Sequence, residues 1–154
     1  GRLSADLADI GKDYSVAHWL WNGMPNDARD ISGWFYSRDH NHGVSAYGEH
    51  LGIGGKIGNT GKLIFTVNGK TTAGKTEVPR WTWQQVVLVR QKDRVQVYLN
   101  GSLELEVQAA GAEIPSVFFG GASEQDSNWE GRLDEIAVFN RALSSDEIQK
   151  LQVR

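Results

Sequence analysis

Three stretches of this chain hold residues whose types and spacing could do chemistry. The first is "RLDEIAVFN", residues 132–140, which alternates like a strand. In plain alternation Asp134 falls in line with Ile136 and Val138. A carboxylate facing a core is costly unless it is paired or holds a cation. Three arrangements would satisfy it. Asp134 could accept hydrogen bonds from backbone amides or pair with an arginine, Arg132 and Arg141 being near in sequence. It could coordinate calcium with backbone carbonyls, since that ion takes about six to eight oxygen ligands. Or the strand could bulge and turn Asp134 to water.

The second stretch is "NGMPNDARDISGW", residues 22–34, a polar loop longer than a hairpin needs. A sugar site needs a flat aromatic face and a few planar donors and acceptors. Asn26, Asp27, Arg29 and Trp34 have that chemistry; the plainer alternative is an Asp27–Arg29 ion pair with Trp34 in the core. The third is "SEQDSNW", residues 123–129, where Glu124, Asp126 and Asn128 stand beside Trp129. These could bond sugar hydroxyls or calcium, or form a solvated turn. If both loops emerge at one end of the molecule, they form one shallow site.

Other motifs carry less. His40 and His42 lie two apart without a clear third ligand, so "SRDHNHG" reads as a polar loop. His18 falls on an inward row and is expected to be a hydrogen-bonded core histidine. Trp81 and Trp83 read as core or sheet-edge packing, and Trp21 becomes a stacking candidate if its face is the concave sheet surface. Glu104 and Glu106 share what reads as a solvated outer face. No Ser-His-Asp arrangement, phosphate-binding glycine loop or cysteine nucleophile is evident.

The elements that must position these residues are strands. Period-2 runs recur at 13–22, 32–39, 49–55, 62–69, 75–79, 116–122 and 131–140, and in the block 81–108, where "QKDR" reads as a hairpin loop. Tyr14, Val16, His18 and Leu20 form one inward row; Val95, Val97 and Leu99, then Leu103, Leu105 and Val107, form others. Val86, Leu88 and Arg90 alternate with Val87 and Val89, so that strand is expected to be covered on both faces. Asn100-Gly101 predicts a tight type I′ hairpin. Only the tail reads as helix, with Ser144 as N-cap and Glu147 closing a capping box. The pattern predicts an all-β, antiparallel two-sheet sandwich with a short C-terminal helix.

The 154 residues suit one domain, residues 1–154, with a sizeable core. The formal net charge of −3 is spread along the chain, with no basic stripe for nucleic acid and no basic amphipathic helix for a membrane surface. With no cysteine, disulfides and thiolate metal sites are excluded. The 18 glycines suit many turns; the 6 tryptophans suit an aromatic core or a stacking site. The opening "GRLSADLADIG" has no Met and reads as a module cut from a longer protein.

"GRLDEIAVFNRALSSDEIQKL" resembles the closing signature of LamG-like, concanavalin A-like jelly-roll domains. "VVLVRQKDRVQVYLNG" is similar to that family's central hairpin, and "DYSVAHWLW" to its early core strand. The three motifs, in the family's order, span residues 13 to 152. The resemblance is closest to LamG-like modules on large exported bacterial proteins, some of which also carry cytochrome-like domains. It implies two curved antiparallel sheets in a jelly roll, a structural calcium ion with Asp134 as ligand, and binding of carbohydrate or protein. Jelly-roll glycoside hydrolases carry Glu-x-Asp-x-x-Glu on one strand, and this chain lacks it. The expectation is a non-catalytic, lectin-like module of an extracellular, periplasmic or cell-surface protein. Its partner would be an oligosaccharide, polysaccharide or glycoconjugate. The competing expectation is a structural or interaction module packing on neighbouring domains of its parent protein.

Overall fold

The computed structural model describes residues 1–40, 44–111, 113–121 and 128–153. Among them, in chain order, the strands are β1 (Leu3–Asp6), β2 (Tyr14–Asn22), β3 (Ile31–Arg38), β4 (Glu49–Gly54), β5 (Lys62–Val67) and β6 (Lys70–Glu77). There follow β7 (Trp83–Gln91), β8 (Arg94–Leu99), β9 (Ser102–Gln108), β10 (Ser116–Phe119), β11 (Gly131–Phe139) and the helix α1 (Ser145–Lys150). The strands form a six-stranded sheet, order β1-β10-β3-β4-β5-β6, and a five-stranded sheet, order β11-β2-β7-β8-β9. Every pairing is antiparallel. This is the jelly-roll sandwich that the alternation and the resemblance both predict.

The inner faces zip together through every second residue. Val16, Leu20, Val86, Leu88, Val95 and Val97 from one sheet meet Leu51, Ile53, Leu63, Phe65, Val117 and Phe119 from the other. The outer face of the five-stranded sheet has its own apolar cluster of Ala17, Val87, Val89, Leu143 and Ile148. There the C-terminal segment lies across β2 and β7, so β7 is indeed covered on both faces. Ser144 accepts from the Glu147 amide and the Glu147 side chain accepts from the Ser144 amide, closing the capping box. Burying a side chain such as Ile148 stabilises by about 1.5–3 kcal/mol, which fixes a helix too short to stand alone. The Asn100-Gly101 turn has φ of 49° and 82°, as a type I′ hairpin requires.

Two edges depart from simple alternation. In β9, Val97 pairs with Leu105 but Tyr98 with Leu103, so Glu104 is an inserted residue. Leu103 is therefore exposed rather than inward. Glu104 is buried rather than solvated, and its carboxylate accepts the amides of Lys75 and Thr76 on β6. That contact closes the sandwich along β6 and β9 and blunts two edge strands.

In β11, Asp134 pairs with Trp19 and Ala137 with Ala17, so one extra residue sits between them. Glu135 takes it up with φ of 50°. The inward set is thus Leu133, Ile136 and Val138. Asp134 is exposed, with Oδ1 accepting from the Glu135 amide at 2.9 Å. The bulge that the sequence left open is present, and a backbone amide bonds the carboxylate as well, so the premise that Asp134 faces the core is removed.

His18 is buried as expected, but neither ring nitrogen finds a hydrogen-bond partner. It packs 5.0 Å from the Phe35 ring and 6.2 Å from Phe119. Burial holds its pKa near 3, so it is a neutral, apolar-packed ring.

Candidate functional site

The loop after β2 and the segment before β11 meet at one end of the sandwich. The Arg29 guanidinium donates to the Asn128 carbonyl at 2.9 Å and pairs with the Glu130 carboxylate. Gly23 N donates to Glu130 O, and Trp34 bridges Asn128. Asn26 donates to Glu77 at 3.2 Å and accepts from Asn22, while Asp27 is exposed. The structure thus brings Arg29 to Asn128, while Asn26 faces Asn22 and Glu77 and Asp27 stands exposed; Trp21 lies one residue before the end of β2. Asp126, like Glu124 and His42, lies outside the described residues.

Two of the expected stacking rings are packing residues instead. Trp34 is 7% exposed and lies against His50, with ring centroids 5.7 Å apart. Trp129 stands edge-on to Phe35 at 5.5 Å and is wedged against Gly33 and Gly131. With Phe119, Leu133 and Ile136 it lines a cleft of about 350 Å³ between the sheets, away from the outer face that carries Trp21. Apolar area inside the sandwich outweighs a stacking role for Trp34, whereas Trp129 is half-buried at that cleft.

The ring that does reach solvent is Trp81, 60% exposed and held at φ of 64°. Such a φ is rare for a bulky residue and strains the backbone by roughly 1–2 kcal/mol. The Trp81 amide donates to Asn22 O at 3.0 Å, which fixes the turn. Its ring meets Trp21 edge-on, with centroids 5.2 Å apart. The Arg80 guanidinium lies over the Trp81 ring at 4.7 Å, and that of Arg132 over the Trp21 ring at 4.9 Å. Arg132, Trp21 and Trp83 are register partners across β11, β2 and β7. Together they make a shelf on the outer face, beyond the part that α1 covers. Gly23 keeps the loop low over it: a Cβ there would meet the Trp21 ring at 2.8 Å.

Trp81, Arg80 and Arg132 escaped the sequence reading, which set Trp81 on a strand face with Trp83. The available signal was Pro79: it ends the preceding strand, so Trp81 belongs to the crossover loop. A tryptophan in such a loop has no sheet to cover it.

The described residues also hold a Ser-His-Asp arrangement that the sequence did not betray. Ser37 Oγ is 2.8 Å from His50 Nδ1, and His50 Nε2 is 3.3 Å from Asp39 Oδ2. Ser37 and Asp39 are each 1% exposed and His50 is fully buried. Asp39 also accepts the His40 and Ser45 amides, at 2.7 and 2.6 Å. A fully buried serine reaches no substrate carbonyl; the group ties His40 and Ser45 to the sheet.

For calcium, the described residues include no cluster of three or more metal-ligating side chains. Asp134 contributes one exposed carboxylate, so an ion there would draw most of its oxygens from backbone carbonyls and water.

A laminin G family model, described as the concanavalin A-like lectin/glucanases superfamily, matches residues 3–149. Comparison with curated protein sequences gave no match. Among solved structures, the chain is similar to domain 4 of an extracellular arabinanase from Geobacillus stearothermophilus, in complex with arabinotriose. There the identity is 18% and the TM-score 0.65, over 92% of this chain and 66% of that one. A SAP-like pentraxin from Limulus polyphemus gives 19% and 0.62, over 92% and 70%. The binding domain of botulinum neurotoxin serotype D gives 16% and 0.67, over 95% of this chain and 37% of the other. At these identities the likeness is one of fold, and this chain spans about two thirds or less of the arabinanase and toxin chains. The match over nearly the whole length makes the chain a member of the concanavalin A-like lectin/glucanases superfamily.

Proposed function

We propose that this chain is a non-catalytic carbohydrate-binding module, with the Trp21–Trp81 shelf as its binding platform. The observation that carries this reading is Trp81: a large ring held in a strained backbone conformation and left mostly in water. Folding alone would select against both features, and strain of this kind gathers at ligand sites. The indole face supplies the stacking surface for sugar C–H groups. Arg80 and Arg132, which lie over the Trp81 and Trp21 rings, supply donors for hydroxyls; Asp27, exposed on the loop that follows Trp21, is the further candidate acceptor. The arabinanase domain solved with arabinotriose is consistent with such a use of the fold. The setting we assign is an appended module of a larger exported protein, working at the cell surface, in the periplasm or outside the cell.

Affinity-gel electrophoresis in a panel of neutral and acidic polysaccharides tests this. Retardation by at least one polysaccharide is expected, and Trp81→Ala is expected to abolish it while the melting temperature holds. Retardation unchanged in Trp81→Ala would move the site elsewhere. Silence on every polysaccharide would leave the module as a structural or docking domain.

Calcium at Asp134 is a separate part of the proposal. It expects chelator-treated protein to melt several degrees lower than protein with calcium restored, and Asp134→Asn to erase the difference. Equal melting temperatures with and without calcium would remove the ion from the account.

A further inference from the structure

We infer that the saccharide this shelf takes is acidic, one whose carboxylate is met by Arg80 and Arg132. This rests on the carbohydrate-binding reading and narrows it. Two of the three tryptophans at the shelf have a guanidinium over the ring, Arg80 on Trp81 and Arg132 on Trp21. Stacking on a ring satisfies the flat face of a guanidinium and leaves its edge donors in the plane. Those edges are hardly used. Arg80 makes one long bond, Nη2 to Gly23 O at 3.2 Å, and its Nε is buried with no partner. Arg132 stands on an exposed position of β11. Among the described residues neither takes part in an ion pair, whereas Arg29 pairs with Glu130 and Arg141 with Glu147.

The Arg80 Nε is sealed from a ligand, which leaves the outer Nη edge of Arg80 and the exposed Arg132 to meet one. The same fork geometry matches a carboxylate through two parallel bonds. A neutral sugar would stack on Trp81 equally well but leave both charges without a counter-ion. A uronate-type residue would stack by its C–H face and place its carboxylate at the fork. Two carboxylates flank Arg132 at two residues' distance: Glu130, whose charge is taken up by Arg29, and Asp134, exposed on β11, whose register partner is Trp19 rather than Trp21. Because the whole chain is at −3, general attraction for anions does not explain acidic selectivity; it has to be local.

The test uses the whole chain with polygalacturonate, alginate and hyaluronate, each beside its carboxyl-reduced form, at low salt and at about 150 mM salt. The expected result is binding to at least one acidic polymer, at least tenfold weaker for the reduced form. Arg80→Gln and Arg132→Gln should each weaken the acidic polymer about tenfold and leave melting unchanged; Arg132, being exposed on a strand, is the variant least able to disturb folding. Trp81→Ala should abolish binding of the same polymer. If carboxyl-reduced or neutral polymers bind as well as acidic ones and the arginine variants bind normally, the acidic assignment is overturned while carbohydrate binding stands. If the arginine variants weaken binding but Trp81→Ala does not, the contact is charge alone and the assignment also falls. If no polysaccharide of either kind binds, it falls together with the binding reading.

Discussion

The two ends of the sandwich both use arginines and aromatic rings, and they use them in opposite ways. β2 joins them, since Tyr14 at its start pairs with Arg90 and Trp21 near its end pairs with Trp83. At the Tyr14 end everything is sealed. Arg38 donates to the carbonyls of Ile114, Gly11 and Ile10 at 2.5, 2.7 and 3.1 Å, with its guanidinium 4.8 Å over the Tyr14 ring. Arg90 is fully buried, ion-paired with Glu49, and donates to Ala109 O at 2.5 Å. Glu49 also accepts from Tyr14 at 2.5 Å, and Tyr14 accepts from Tyr36. Burial, and then the Glu49 charge, push the Tyr14 hydroxyl well above its ordinary range, so it stays a donor. At the Trp21 end Trp81 is in water, Trp21 and Trp83 are half-buried, and Arg80 and Arg132, unlike Arg29 beside them, take part in no ion pair among the described residues. On the reading proposed above, the filled forks hold the fold and the open ones meet the ligand.

The largest effect that would break this contrast lies at the sealed end. Glu49→Ala leaves Arg90 charged and buried, and stability is expected to fall by about 3–5 kcal/mol, read from the urea midpoint. A loss below about 1 kcal/mol would mean that the pair is solvated and the two ends are alike.

His18, sealed but unpaired, sharpens the contrast through pH. A histidine in the unfolded chain takes its proton near pH 6.5, whereas folded His18 takes it only near pH 3. The unfolded state therefore binds the proton first. Its contribution to stability is complete above about pH 6.5 and is lost as pH falls from there toward 3. The loss is on the order of a few kcal/mol, and His50, also held low by burial, acts in the same direction. His18→Leu should flatten the acid limb of the stability curve and cost nothing at pH 7. An unchanged acid limb would place His18 outside this account.

The smallest effect belongs to the shelf. Trp81→Gly suits the φ of 64° and gives up little buried area, so it is expected to leave stability unchanged or raise it by up to about 1 kcal/mol. Binding should nevertheless vanish. A loss of more than about 2 kcal/mol, large for a residue outside the core, would make Trp81 a structural residue after all.

The sequence read well wherever a strand has neighbours on both sides. In β2, β7 and β8 the every-second-residue rule holds from end to end, because shifting the register would turn each core side chain to water. The hairpin at Asn100-Gly101 and the cap at Ser144 were readable for a local reason: each is a backbone geometry that few residues favour. The edges were not readable. In β9 and β11 a single inserted residue turned Glu104 inward and Asp134 outward, and an edge strand tolerates that because only one partner enforces its register. β1 and most of β6 were missed because their side chains are largely exposed and so carry no apolar rhythm.

The candidate site was half legible. Loop length and polarity marked residues 22–34 and 123–129, but their meeting was left open until the structure placed Arg29 against Asn128 and Glu130, and Trp21 was a candidate only if its face proved concave. Trp34 and Trp129 misled because composition cannot say which face of a ring is covered. Trp81 was missed because its strained φ is a property of the fold.

The central claim is that the Trp21–Trp81 shelf, and not the packed tryptophans, meets the sugar. The most direct measurement follows the indole N–H resonances of all six tryptophans while adding an oligosaccharide of a polymer that retards the protein. The account expects Trp81 and Trp21 to shift in step with saturation while Trp34 and Trp129 hold still. Movement of Trp34 or Trp129 with Trp81 unmoved would contradict it.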